Sequence, residues 1–299
     1  VSTVDPVPVT LTDPWTVSYR GLLIGAEDSA LSLIEVSGLL DSPALRTADR
    51  AILHRHGEMS GPDWMGARTV TLVIEVTART PSEFDDAMTA VMTAFTPARD
   101  SAPLSFRFPG VAGGGPRAVW GKVRHRAVVM DQAYAHRYAS VTVELYCPSP
   151  LILAATPSSG RASLPRPVPG GGIRFPRRFP LRLGHTTVAD VIHADNAGTA
   201  HVPVRFTMRG PIRDPRIVDP GTGNELALDY TLTAGQSLVV DTGTRDVMFN
   251  GVAPRFVTGR GNVWLTIPPG GCEFALRGTR TDPTGPEPEL SALWWPAWI

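Results

Sequence analysis

Apolar and polar positions alternate along much of the chain, and a period of two marks strands that bury one face. In the first half, Leu31–Ser37 and Val70–Ala78 are rich in β-branched and aliphatic residues, and Val70, Leu72, Ile74 and Val76 share a face. A short strand is predicted at Leu104–Phe108. After the turn Gly113-Gly114-Gly115-Pro116, two long segments, Arg117–Met130 and Arg137–Cys147, read as an antiparallel pair. Pro43–Asp63, between the first two strands, mixes charges with Gly57, Gly61 and Pro62. It is long for a connection in a compact domain, so the sequence predicts an arm or functional loop able to reach outside its own subunit.

One segment carries the helical period instead. Thr80 is placed to cap a helix N-terminus, Pro81 suits the first turn, and the Glu83 carboxylate can reach back to the backbone N–H of the cap. Phe84, Met88, Val91, Met92 and Phe95 then recur on one face, which should cover a sheet, until Pro97 stops the helix.

From Thr156 to Pro180 the pattern breaks. Pro157, Pro165, Pro167, Pro169, Pro176 and Pro180 and the triplet Gly170–Gly172 interrupt any ladder. The expected organisation is a first domain at 1–155, a Pro/Gly-rich linker at 156–180, in which an edge strand around Gly172–Phe175 is possible, and a second domain at 181–299. That second half reads as strand after strand: Val202 to Met208, Leu226 to Leu232, Leu238 with Val240, Val247 with Phe249, Val263 to Ile267 and Cys272 to Leu276. Turn signals separate them at Asp219-Pro220-Gly221, Ala234-Gly235, Asp241–Gly243, Asn250-Gly251 and Pro268–Gly271. Strands at this spacing without helices predict a two-sheet sandwich, and Trp294, Trp295 and Trp298 should fix a last strand.

Composition agrees with a folded, mainly β chain: hydrophobic residues make up 42% and charged residues 19% of the 299, and 29 Gly with 29 Pro favour short elements. The 28 basic and 28 acidic residues cancel, so no global field draws in nucleic acid or an anionic membrane. Lys122 is the only lysine. Arg117, Lys122, Arg124, His125 and Arg126 concentrate positive charge on one predicted strand, where alternate members point to opposite faces; a solvated edge fits better than a phosphate cradle. No run approaches 18 apolar residues, and the first residues lack a basic and apolar leader pattern, so neither a membrane span nor a signal peptide is expected. Cys147 and Cys272 alternate with apolar neighbours in different halves, which predicts buried free thiols and a reducing compartment during folding.

Catalytic patterns are missing. There is no GxSxG elbow and no GxxxxGK[ST] loop, and the glycine triplets are not followed by a helix N-terminus. The seven histidines, His54, His56, His125, His136, His185, His193 and His201, include no HExxH arrangement. Glu83, Asp85 and Asp86 fall on the exposed face of the predicted helix. An enzyme, a cofactor and a metal site are all unexpected. A stacking platform for sugar built from Trp294, Trp295 and Trp298 is the alternative chemistry, and would make the chain a carbohydrate-binding adhesin.

The order of these motifs resembles the distal tail protein family of long, non-contractile-tailed phages. In the first half the resemblance rests on the early paired strands, the connection containing Arg50 to Gly61, the strand at Arg68–Ala78, the helix at Ser82–Phe95, and the hairpin closing on Tyr146-Cys147-Pro148-Ser149-Pro150. In the second half it rests on Asn196-Ala197-Gly198 before Val202-Pro203-Val204, Gly210-Pro211 before Pro215-Arg216-Ile217, Gly223-Asn224-Glu225-Leu226, Leu232–Gly235, Val239–Asp241 and Pro269-Gly270. The resemblance implies a mainly β chain whose sandwich-like or barrel-like first domain, with one helix, forms a ring, usually of six subunits, that continues the tail tube. It implies a galectin-like sandwich as the second domain, although no galectin-like ligand set of His, Asn, Arg, Trp and Glu can be placed on its strands. Implied partners are further copies of the chain, tail-tube or terminator proteins, and hub, fibre or receptor-binding proteins, with no membrane and no sequence-specific nucleic acid. The implied location is the virion tail tip, assembled in the host cytoplasm. Candidate subunit contacts are Arg50, Arg55 and Trp64 in the arm and Arg117, Lys122, Arg124 and Arg126 in the hairpin.

Overall fold

The alternating stretches of the first half become one sheet in the computed structural model, which describes Leu11 and residues 13–165, 190–255 and 262–299. Contacts divide the chain into an N-terminal unit that ends at Thr156 and takes in Trp298–Ile299, and a C-terminal unit, Pro157–Ala297. In the N-terminal unit β1 (Thr16–Tyr19) turns through Arg20 and Gly21 into β2 (Leu22–Ile24), followed by β3 (Leu31–Ser37). Four two-residue strands lie between β3 and the long β8 (Arg68–Thr77): β4 (Leu45–Arg46), β5 (Arg50–Ala51), β6 (Glu58–Met59) and β7 (Trp64–Met65). Then come α1 (Pro81–Ala94), β9 (Ala102–Arg107), β10 (Arg117–Val128), α2 (Gln132–Ala135), β11 (Tyr138–Cys147) and β12 (Ile152–Ala154). The main sheet runs β2-β1-β9-β10-β11-β8-β3.

Two strands that the alternation predicts, β8 and β11, lie side by side in it, and the expected antiparallel pair of β10 with β11 forms over Lys122–Val128. Leu72 lies opposite Val143 and Ile74 opposite Val141, all four fully buried. Phe84, Met88 and Val91 of α1 join the same core, and each such side chain removed from water stabilises by about 1.5–3 kcal/mol. The helix begins as expected: the Glu83 N–H donates to Thr80 Oγ1 at 3.3 Å. The Glu83 carboxylate reaches one residue further back than expected and accepts from the Arg79 N–H at 3.0 Å.

Long β10 is bent, and the bend gives the unit its shape. Arg117–Gly121 pair with β9, whereas Lys122–Val128 pair with β11, with a bulge between Val123 and His125. Gly121 is the pivot, because a Cβ there would meet Cys147 Sγ at 2.8 Å; bulges and glycines of this kind turn sheet corners. The sheet therefore curls towards itself, but the ladder does not close. Its ends, β2 and β3, are joined by the Gly25 N–H donating to Leu31 O at 2.9 Å, so the barrel-like expectation resolves to an open, curled sheet. A second difference is α2, a single turn in the β10–β11 connection, capped by Asp131 Oδ1, which accepts from Ala133 and Tyr134 N–H at 2.9 and 3.2 Å.

The C-terminal unit is the predicted two-sheet sandwich. One sheet orders β13 (Ser158–Ser163), β25 (Glu289–Trp294), β16 (Arg205–Arg209), β20 (Ser237–Asp241), β21 (Asp246–Phe249) and β22 (Ala253–Arg255). The other orders β14 (Val191–Ala194), β24 (Cys272–Arg280), β17 (Ile212–Val218) and β18 (Glu225–Ala227), with β19 (Thr231–Leu232) also on β17. β15 (Val202–Pro203) pairs with β23 (Thr266–Ile267). Phe206 from the first sheet meets Phe274 from the second edge-on at 5.0 Å, within a core that also holds Met208, Leu238, Val240, Ile192, Ile217 and Leu276. Ser158–Ser163 is a sheet strand, so the front of the segment expected to be a linker is built into this unit; residues 166–180, with the possible strand at Gly172–Phe175, lie outside the described residues. The last short strand, β26 (Ala297–Trp298), straddles the division.

Candidate subunit interface

The connection from β3 to β8 is a hairpin arm. Leu45 pairs with Met65 and Arg46 with Trp64, and further out Arg50 pairs with Met59 and Ala51 with Glu58. The tip is a turn in which His54 and Gly57 take positive φ, and the Ile52 N–H donates to Gly57 O at 3.4 Å. Asp49 Oδ1 accepts from the Gly61 N–H at 2.9 Å. Glycine is required there, since the Ala48 backbone leaves no room for a Cβ.

Every residue from Ala44 to Ser60 is exposed, including the large apolar side chains of Leu45, Ile52, Leu53 and Met59, and Trp64 follows; Leu53 is 83% and Trp64 63% exposed. A two-stranded hairpin with neither face covered is marginal at best in water. Several large apolar side chains left exposed on one hairpin make the arm a candidate interaction surface.

The root of the arm is firmer than its tip. Arg68, at the start of β8, is buried, and Nη1 donates to Gly38 O at 3.2 Å, to Asp41 O at 2.9 Å and to Leu39 O. Nε donates to Pro150 O at 3.1 Å. One guanidinium thereby ties both ends of the arm to the segment after β11. Burial pulls its pKa below the usual arginine value, offset by the neighbouring Cys147 and Asp41. Sequence reasoning missed Arg68, because its partners are carbonyls and carry no residue identity.

The sequence candidates fall into two groups. Arg50, Arg55 and Trp64 are all exposed on the arm. Arg117, Lys122, Arg124 and Arg126 lie on β10, and three of these have work within the unit. Arg126 Nη1 donates to Met92 O at 2.7 Å and Phe95 O at 3.3 Å, placing a positive charge at the α1 C-terminus, where the last turn has no basic residue of its own. The Arg117 guanidinium lies 4.0 Å from the centre of the Trp298 ring, and burial lowers its pKa. Arg124 stacks at 3.5 Å over Tyr146 and stays exposed. Lys122 is half-buried opposite Tyr146.

The three tryptophans proposed as a sugar platform do not offer one. A stacking platform needs open indole faces. Trp294 is only 2% exposed, with Nε1 donating to Asp195 O at 2.8 Å in the C-terminal core. Trp298 lies beneath Arg117 in the N-terminal unit, and Trp295 is half-buried. Trp294 is therefore corrected from a candidate ligand-stacking residue to a core residue.

Both cysteines are free. Cys147 is buried and Cys272 half-buried; burial pushes the Cys147 thiol up to about 11 and that of Cys272 to about 12, so both are protonated near neutrality. Among the described residues, no three His, Cys, Asp or Glu side chains gather to hold a metal, and no helix is long and apolar enough to cross a membrane.

Residues 197–284 match the family described as siphovirus-type tail component, C-terminal domain. Among solved structures, the chain is similar to SPP1 Dit, described as a paradigm of the hub adsorption apparatus in phages that infect Gram-positive hosts. That match has a TM-score of 0.60 at 14% identity and covers 95% of this chain and 99% of SPP1 Dit. It is also similar to chains of the phage p2 baseplate in its activated conformation, with calcium and with strontium, each with a TM-score of 0.48 at 8% identity, covering 93% of this chain and 96% of that one. No curated protein matches. The resemblance to the distal tail proteins drawn from motif order is borne out by the family match and by the fold shared with SPP1 Dit.

Proposed function

We propose that this chain is a distal tail protein: a structural, non-enzymatic component of a siphophage tail, forming a ring, usually of six copies, that joins the tail tube to the hub and host-adsorption apparatus. The observation that carries the proposal is the fold shared with SPP1 Dit over 95% of this chain. The hub role comes from what that protein is described as being, and the match at 197–284 supports a siphovirus-type tail component from sequence.

The mechanism is rotational closure: each copy presents two unlike surfaces that fit, and the circle shuts at a fixed number. The arm is one such surface, with Arg50, Arg55 and Trp64 reaching the neighbour. On β10, Arg124 is the exposed cation facing the seam, while Arg117 and Arg126 shape the strand from within. The N-terminal unit is the ring-forming part and the C-terminal sandwich, galectin-like in this reading, a docking or spacer part. Neighbours would be tube or terminator proteins on one side and hub, fibre or receptor-binding proteins on the other, within a virion assembled in the host cytoplasm.

Solution mass tests the ring. Six chains of 32.0 kDa give about 190 kDa and three about 96 kDa by light scattering. A chain that stays monomeric at every concentration, and also when mixed with its neighbouring tail proteins, sinks the proposal.

A further inference from the structure

A sheet edge with open N–H and C=O groups is a template for another chain, and the C-terminal unit covers its sheet ends in different ways. We infer that the Asn262 side chain guards the β18 edge by standing in for a neighbouring strand, and that without it a second copy of the chain adds its own β18 there. The inference goes beyond the ring reading and does not depend on it.

β18 pairs with β17 on one side only. On the other side the Ala227 N–H donates to Asn262 Oδ1 at 2.7 Å, and Ala227 O accepts from Asn262 Nδ2 at 3.0 Å. One side-chain amide thus makes the pair of bonds that a residue of an adjoining antiparallel strand makes with its own N–H and C=O. The Val263 N–H donates to Glu225 O at 3.1 Å, so the short edge is filled by two residues that belong to no strand.

The other sheet ends of this unit rest on more than one side chain. β13 and β14 lie against each other, with Gly160 leaving no room for a Cβ beside Ile192, and the Asp190 carboxylate accepts from the Ser163 N–H at 2.6 Å. β22 carries Pro254, which has no N–H to offer a further strand. β19 has only 2 residues, too short to template a partner. Among the described residues, β18 is therefore the end strand whose cover rests mainly on one side chain.

The occupant that fits the bare edge is a second β18. About a two-fold axis opposite Leu226, Glu225 of one copy faces Ala227 of the other, so the Ala227 N–H meets Glu225 O in both directions. That register sets glutamate against alanine and leucine against leucine, with no like charges opposed. Any chain that self-associates through its N-terminal unit also holds its C-terminal units at high effective concentration, where an open edge would pair the wrong surfaces.

The test removes the guard in the full chain and reads two quantities across a concentration series: exchange of the Ala227 amide, and mass by light scattering. Asn262→Ala deletes two of the three bonds, and Asn262→Ala with Val263→Pro deletes all three. At low concentration Ala227 should exchange about tenfold or more faster than in wild type, because its N–H has lost its partner. As concentration rises, mass should climb above that of wild type at the same concentration while Ala227 regains protection. The double variant should do both at lower concentration than the single one; if it does not melt cooperatively, Asn262→Ala carries the test alone. Wild-type exchange at Ala227 in Asn262→Ala would overturn the guard. Fast exchange with wild-type mass at every concentration, or added mass with Ala227 still unprotected, would overturn the pairing. Wild-type mass in the same series decides the ring reading separately.

Discussion

Arg68 shows how one residue can decide where an exposed segment begins. Its guanidinium has no carboxylate within the bonds it makes, and four backbone carbonyls from two separate segments share its donors. Hydrogen bonds to a charged group contribute about 1.5–3 kcal/mol each, and a carbonyl left without its donor costs more than a bond that was never formed. Arg68→Ala should therefore lower stability by about 3 kcal/mol or more. Arg68→Lys should recover only part, because a compact ammonium cannot span carbonyls that the planar fork spans. Urea melts of the two variants check this order. If Arg68→Ala melts with wild type, the carbonyl cluster is not what holds the root.

At the level of elements, the arm is held only by its Arg68 root and its own short ladders among the described residues, with every residue from Ala44 to Ser60 exposed. Shortening a loop alters closure entropy by only about 0.6 kcal/mol for each halving, and the arm residues from Ala44 to Ser60 are themselves exposed. Replacing residues 46–64 with a short Gly-Ser turn should leave the melting temperature near wild type while self-association is lost. Retained association would show that the ring closes through other strands. Residues that chose their element by pattern alone were legible in sequence: Val70 to Val76, Val141 to Leu145, and the Thr80 to Phe95 helix with its cap. What escaped depended on distant partners or on irregular backbone. β17 contains Pro215 and a positive φ at Asp214, and its register slips between Arg213 and Arg216, so no alternation advertises it. Arg126 looks like one more cation on an edge strand, yet its partners, Met92 and Phe95, are the last carbonyls of a helix some thirty residues earlier. The arm was legible as a long connection; its ladders were not, because strands of two residues carry no period.

On the scale of the whole molecule, two cores imply two unfolding events. The buried cluster around β8, β11 and α1 draws only on the N-terminal unit, and the Phe206–Phe274 contact belongs to the other. Each unit has its own buried polar fastening: Arg68 in the first and Asn196 in the second. Asn196 Nδ2 donates to Ala200 O at 2.8 Å and Pro268 O at 3.2 Å, and Oδ1 accepts from the Gly198 N–H at 3.0 Å. The side chain is buried, so Asn196→Ala strands several polar groups and should cost about 3 kcal/mol. Because the two sites share no partner, their effects should fall on different transitions. In scanning calorimetry Arg68→Ala should lower one component and Asn196→Ala the other, with the double variant lowering both. Association should follow the first component alone if the N-terminal unit is the ring-forming part. A single transition that both variants lower equally would mean that the chain unfolds as one body, and the assignment of assembly to one unit would then need a test other than stability.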